Sequence, residues 1–178
     1  KGEVRWLDSA GTTLLRLTQS ADRGYRLATG DIDGDGDDEV VVADRLGSTV
    51  RVYSVDGTFR YAVRPRGAGY RGGWIPAVGD MQGDGKAEII LLPASMTKNP
   101  IVSILNGAGK RIATVTLRGQ STRSIFSLTA GNIDGGPKDR ILLNDGSSRV
   151  TAWNMAGQNI RTISLTPNLA VRSLGIWQ

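Results

Sequence analysis

Two short patterns alternate along this chain, roughly fifty residues apart, and a period of that length decides the architecture before any local propensity does. The first is an apolar run closed by Gly and an Asp or Asn: Ala28-Thr29-Gly30-Asp31, Ala77-Val78-Gly79-Asp80 and Thr129-Ala130-Gly131-Asn132, with a weaker echo at Ser173-Leu174-Gly175-Ile176. Its glycines stand 49, 52 and 44 positions apart. The second is an alternating apolar run, a turn with Gly, and another alternating run: Val4 to Leu17 about Gly11, Val50 to Val63 about Gly57, Ile101 to Val115 about Gly109, and Val150 to Ile163 about Gly157. Period-two apolar residues around short turns such as Asp56-Gly57 predict β-hairpins. No window competes as a helix.

Between the two patterns lie an acidic loop and an apolar strand, at Glu39 to Ala43, Glu88 to Leu92 and Arg140 to Leu143. Each unit is therefore four strands in about fifty residues, the dimension of a β-propeller blade. The expected fold is all-β, a propeller of about four four-stranded antiparallel blades in a single repeat domain over 1–178. The units run 20–66, 67–119 and 120–167, with 1–19 and 168–178 sharing a blade. If the strand ending at Gln178 pairs with the one near Val4, a small ring closes and two open edges disappear. Otherwise these blades belong to a larger propeller.

Composition narrows the chemistry. There are 24 glycines, well above the roughly 7% of average usage, in keeping with many turns. Cys and His are both absent. That removes disulfides, thiolate or imidazole metal ligands, and the Ser-His and Cys-His nucleophile pairs. The expectation is a protein that is not an enzyme. No apolar run approaches the roughly 18 residues that cross a bilayer, so no membrane insertion is expected. A leader with a charged-then-apolar layout is not seen either.

The formal charge is +5, but six of the 17 acids crowd into Asp31 to Glu39, leaving 22 basic residues against 11 acidic ones elsewhere. A cation in the acidic stretch would leave a basic surface able to attract a polyanion. Interspersed surface charge is the plainer reading.

The stretch Asp31-Ile32-Asp33-Gly34-Asp35-Gly36-Asp37-Asp38-Glu39 places side-chain oxygens at its first, third, fifth and ninth positions, with Gly at the sixth. Ca²⁺ takes six to eight oxygens at about 2.3–2.6 Å, and a tightly wound loop turns alternate side chains toward one point. Asp31, Asp33, Asp35 and Glu39 offer carboxylates, and Asp37 its carbonyl. Without a cation these charges repel, so the loop is expected to lose order. An EF-hand would need Glu at its twelfth position, where Val42 stands.

The second copy, Asp80 to Glu88, keeps oxygen at all four positions through Asp80, Gln82, Asp84 and Glu88, with the Lys86 carbonyl between. Having three carboxylates, it is expected to bind more weakly. The third copy, Asn132 to Arg140, has Gly136 at the fifth position, Pro137 at the sixth and Arg140 at the ninth. Arg140 is expected to pair with Asp134 in place of an ion, leaving Asn132, Asp134 and Arg140 as a degenerate loop. Two Ca²⁺ sites are thus expected. Turn chemistry alone explains single acids in such loops, but not the full ligand register.

These loops resemble the calcium loops of FG-GAP or VCBS repeats, found in integrin α-subunit propellers and many bacterial surface proteins. The resemblance implies a blade with calcium on one rim and extracellular adhesion or ligand binding. It carries metal roles onto Asp31, Asp33, Asp35, Asp37 and Glu39, and onto Asp80, Gln82, Asp84, Lys86 (carbonyl) and Glu88. The Phe-Gly and Gly-Ala-Pro signatures are not evident, and integrin-type propellers have seven blades.

Trp153, Tyr53, Leu105 and Leu7 stand alike relative to their turn glycines and are expected to form a repeated core position. Trp6, Trp74 and Trp177 fall outside that register and could stack on sugars. The segment Arg64 to Trp74 is a long connection in which Arg64, Arg66 and Arg71 could grip a polyanion, with Tyr70 or Trp74 stacking. A surface connection without such a role is the alternative.

The leading functional expectation is a calcium-binding, secreted or cell-surface bacterial module for adhesion to a protein or glycan, not to nucleic acid. An accessory or catalytic propeller of a polysaccharide-acting enzyme, lyase-like, is the alternative. A spacer is the third.

Overall fold

The computed structural model describes residues 2–19, 24–95, 98–123, 125, 127–146 and 148–164. They form strands and connecting turns, with no helix among them. Strands β1 (Gly2–Leu7) and β2 (Thr13–Gln19) make a hairpin. Three four-stranded antiparallel sheets follow in simple meander order. One holds β3 (Tyr25–Gly30), β4 (Glu39–Asp44), β5 (Val50–Tyr53) and β6 (Phe59–Val63). The next holds β7 (Trp74–Gly79), β8 (Glu88–Pro93), β9 (Ile101–Leu105) and β10 (Arg111–Thr116). The last holds β11 (Ser127–Gly131), β12 (Arg140–Asn144), β13 (Arg149–Trp153) and β14 (Asn159–Ser164).

The sheets are blade-like: the first strand of each lies beside the first strand of the next, with β7 packed against both β3 and β11. The repeated Gly-Asp signature follows from this crowding. A side chain on Gly30 would collide with Val78, and one on Gly79 would meet the Ala130 Cβ at 2.5 Å and Asp139 Oδ2 at 2.7 Å. Any residue larger than Gly would force the inner strands apart.

The second strand of each sheet is covered on both faces, which is why it reads as an unbroken apolar run. Val41 and Ala43 of β4 pack with Trp74, Ile89 and Leu91 across one interface, while Val42 meets Val4 and Tyr53 on the other. Ile90 and Leu92 of β8 face Leu128, Ile141 and Leu143 across the next. The outer strands lie at the surface, and every residue of β14 is exposed.

Tyr53, Leu105 and Trp153 are buried, at 4%, 2% and 3% exposure. Leu7, expected to share their role, is 57% exposed. The core contact on that hairpin comes instead from its neighbour Trp6, whose ring stands edge-on to Tyr53 at 5.7 Å. Ring closure through Gln178, the echo at Gly175, and Trp177 fall outside the described residues.

Candidate metal centre

The three Asp-Gly loops join the first and second strands of successive sheets, so all emerge at one end of the inner strands. Each is wound by its own first residue. Asp31 Oδ1 accepts from the Gly34 amide at 2.6 Å and the Asp35 amide at 3.2 Å, and its Oδ2 from the Gly36 amide at 3.0 Å. Asp80 repeats the pattern with Gly83 at 2.5 Å, Asp84 at 3.2 Å and Gly85 at 2.8 Å. Gly34, Gly36, Gly83 and Gly85 all adopt positive φ, so the turn needs glycine at the fourth position as well as the sixth.

Between the acids, Ile32 and Met81 point down into the core at 1% and 2% exposure and pin each loop to its sheet. Neighbouring loops are also stitched together. The Ala87 amide donates to the Asp31 carbonyl at 2.8 Å, and the Asp139 amide to the Asp80 carbonyl at 2.7 Å. The Lys86 side chain lies over Gly34, so its stem serves the interface between the loops.

The ninth-position glutamates are buried, each at 2% exposure. Glu39 Oε2 accepts from the Ile32 amide at 3.1 Å, and Glu88 Oε2 from the Met81 amide at 2.9 Å. Burial pushes both carboxyls above their ordinary value. What the other glutamate oxygen meets separates the loops. Glu39 Oε1 pairs with Arg60 Nη1 at 2.7 Å, and Arg60 Nη2 pairs with Asp33 Oδ2 at 2.6 Å. Glu88 Oε1 accepts from the Gln82 amide nitrogen at 2.8 Å. The Arg60 guanidinium holds Asp33 below the ordinary carboxylate range.

Asp31, Asp33 and Glu39 each turn one oxygen to within 4.8 Å of the others. Asp33 Oδ1 is buried without a hydrogen-bond partner. An unpaired buried carboxylate oxygen is costly, and an all-oxygen donor set suits a hard cation such as Ca²⁺. The residues present therefore fit that ion. Asp35 and Asp37 are exposed on the rim, where Asp35 Oδ1 accepts the Asp37 amide at 2.9 Å. Asp84 and Lys86 repeat that bond at 3.1 Å.

In the third loop Arg140 Nη2 lies 2.7 Å from Asp134 Oδ2, with Nη1 donating to the Lys138 and Asp139 carbonyls at 2.8 Å and 3.0 Å. Asn132 keeps the winding role, accepting from the Gly135 amide at 2.9 Å. Pro137 cannot adopt the positive φ that Gly36 and Gly85 take at the sixth position.

Residues 31–91, spanning the first two loops and the strands β4 to β7 between them, match the family model of the FG-GAP-like repeat. This stretch is similar to FG-GAP-like repeats. No curated protein matches the chain. Solved structures that share the fold of the FG-GAP-like stretch and its flanks include a Bacteroides caccae protein of unknown function. It is 11% identical with a TM-score of 0.60, over 93% of this chain and 55% of the other. The Bacillus licheniformis rhamnogalacturonan lyase PL11 is 19% identical with a TM-score of 0.53, over 90% and 36%. The chain thus spans about half of the first and about a third of the second. At these identities the likeness is one of fold.

The aromatic part of the polyanion expectation is corrected. Trp74 is fully buried, its Nε1 donating to the Ser48 carbonyl at 3.0 Å, so it cannot stack on a ligand. Tyr70 packs on Trp74 at 4.9 Å between ring centres and donates from its hydroxyl to the Gly73 carbonyl at 3.0 Å. The pair anchors the 64–73 connection because an aromatic couple buries more apolar area than Gly and Arg neighbours can. Arg64, Arg66 and Arg71 remain exposed, with Arg66 lying over the Tyr70 ring at 5.6 Å.

Arg60 escaped the sequence reading. The signal was available in the repeat register. Phe59, Arg111 and Asn159 face equivalent hairpin partners, so Arg60 shares its rung with Ile112 and Ile160. A charge on an otherwise apolar rung marks the sheet that carries the most acidic loop.

Proposed function

We propose that the protein is a calcium-binding interaction module of the cell surface or extracellular space, its sheets being blades of a β-propeller. The observation that carries this reading is the convergence of Asp31, Asp33 and Glu39, together with the unpartnered Asp33 Oδ1. Calcium in the first and second loops would fix the rim, from which exposed connections contact a protein or glycan. Extracellular calcium near millimolar suffices for loops of modest affinity. The exposed Arg64, Arg66 and Arg71 give one such connection a preference for anionic partners.

Calorimetric titration with Ca²⁺ tests the reading: two sites are expected, with a rise in melting temperature that EGTA reverses. No heat and no thermal shift in millimolar Ca²⁺ would sink it. Glycan-array binding of the loaded protein, lost in the triple alanine variant of the three arginines, tests the partner class. A polysaccharide lyase role is separated by incubating the loaded protein with rhamnogalacturonan. Release of unsaturated products would replace the module reading with an enzymatic one.

A further inference from the structure

We propose that Arg60 is a built-in competitor of the metal in the first loop, standing between Asp33 and Glu39 and leaving them when a cation is coordinated there. This rests on the calcium reading of that loop. Arg60 grips two of the three converging carboxylates through separate nitrogens, at 2.6 Å and 2.7 Å. A divalent cation held by the same two groups would face a like charge at contact range, beside the buried Glu39. The two cations are alternatives.

The internal repeats argue that the placement is particular to this loop. The rung that carries Arg60 carries Ile112 beside the second loop and Ile160 beside the third. In the second loop the matching glutamate oxygen takes a neutral amide from Gln82, which can present its oxygen instead by a half-turn of its terminal torsion. Arg60 has no such option, since a guanidinium offers donors only. The first loop therefore holds more negative charge than the second, yet two of its carboxylates start with a cationic partner in place.

Two consequences follow. Arg60 keeps the first loop folded when calcium is withdrawn, contrary to the expectation that its acids would drive it apart. Its calcium affinity is set by the difference between two cations, so it is lower than the carboxylate count suggests.

The test uses the full chain carrying Asp84→Asn to weaken the second loop, with and without Arg60→Met, which keeps the aliphatic stem but no charge. Terbium luminescence and calcium calorimetry should show first-loop binding about tenfold tighter or more without the guanidinium. The calcium-free melting temperature should fall while the calcium-dependent rise grows. Unchanged or weaker binding by a folded Arg60→Met protein overturns the proposal and leaves the calcium reading standing. Absence of binding in both folded proteins overturns both. Should Arg60→Met fail to fold, the wild-type Arg60 Nε resonance decides. It should move during calcium titration in step with first-loop binding, and a resonance that stays put refutes the exchange.

Discussion

The first and second loops are wound by the same hydrogen bonds, from the Asp31 and Asp80 cradles to the amides that Glu39 and Glu88 accept. They differ in what answers the buried glutamate: a guanidinium reaching over from β6 in one, a neighbouring amide in the other. Equivalent backbone geometry thus supports two ways of tolerating a buried carboxylate. One is a fixed counter-charge, and the other is a dipole able to reverse. Counting acids ranks the loops by attraction for a cation. It says nothing about what must be displaced first.

The largest effect should come from neutralising the glutamates themselves. Glu39→Gln and Glu88→Gln should each weaken binding at the altered loop about a hundredfold, roughly 2.7 kcal/mol, leaving the other loop intact. The calcium-free proteins should differ. Glu39→Gln removes a charge that burial disfavours, but it takes one of its two carboxylate partners from Arg60, so it should cost about 1 kcal/mol more than Glu88→Gln in urea denaturation. Glu88→Gln replaces a carboxyl already disfavoured by burial and should stay within about 0.5 kcal/mol of wild type. Equal losses in both would mean that Arg60 contributes nothing to the difference.

Next in size is a conversion. Gln82→Asp gives the second loop four carboxylates without adding an arginine on the Ile112 rung. Its affinity should rise about tenfold, and the calcium-free protein should lose about 1 kcal/mol from the added repulsion. Calorimetry that finds no gain would show that charge count is irrelevant here.

These contrasts also show what the chain reveals when read unaided. Hairpins and second strands were legible because their period and length are properties of the chain itself: Val50 to Val63 and Glu88 to Leu92 could scarcely fold otherwise. The winding of the acidic loops was legible in part: Asp31 and Asp33 converge with Glu39, whereas Asp35, expected beside them, is exposed on the rim. Arg60 was legible only as a charge on an apolar rung, because its meeting with Asp33 spans 27 residues and depends on which way β6 faces. Trp74 was misjudged because it sits outside the repeat register, where sequence offers no clue that Ser48 and Tyr70 enclose it. Leu7 was misjudged for the opposite reason: it keeps the register, but Trp6 takes the contact with Tyr53.

Acidification should act on both loops, and more gently. Burial raises Glu39 and Glu88 above the ordinary 4.5, so each charged form is disfavoured in the calcium-free fold. Their contribution to calcium-free stability therefore grows as pH falls from the raised values toward 4.5. Asp33 has the opposite sign. Held below the ordinary 3.8, its contribution is complete above that value and lost only as pH falls through the lowered one. Coordination needs both glutamates ionised, so affinity should fall a few-fold as pH drops from about 7 to about 5, with proton release on binding. Desolvation by burial is the chief cause at both glutamates, so both loops should weaken on acidification. Titrations in buffers of different ionisation enthalpy would register the protons, and affinity independent of pH at both loops would contradict ligation by the glutamates.

The smallest effect expected is at Asp134, and it distinguishes the two arginines. Arg140 also meets an acidic loop, but its partner is 38% exposed, and the guanidinium is held independently by the Lys138 and Asp139 carbonyls. An ion pair open to water on its acidic side is worth roughly 0.5 kcal/mol, because solvent screens it and neither group depends on the other for desolvation. Asp134→Asn should therefore shift stability by no more than about that amount and leave both calcium affinities untouched. Arg60 differs in its partner rather than in its own exposure: it answers Glu39, a carboxylate at 2% exposure that water does not reach. A large loss of calcium binding in Asp134→Asn would mean that the third loop holds an ion despite Pro137 and Arg140, and that an arginine among the loop carboxylates does not exclude one.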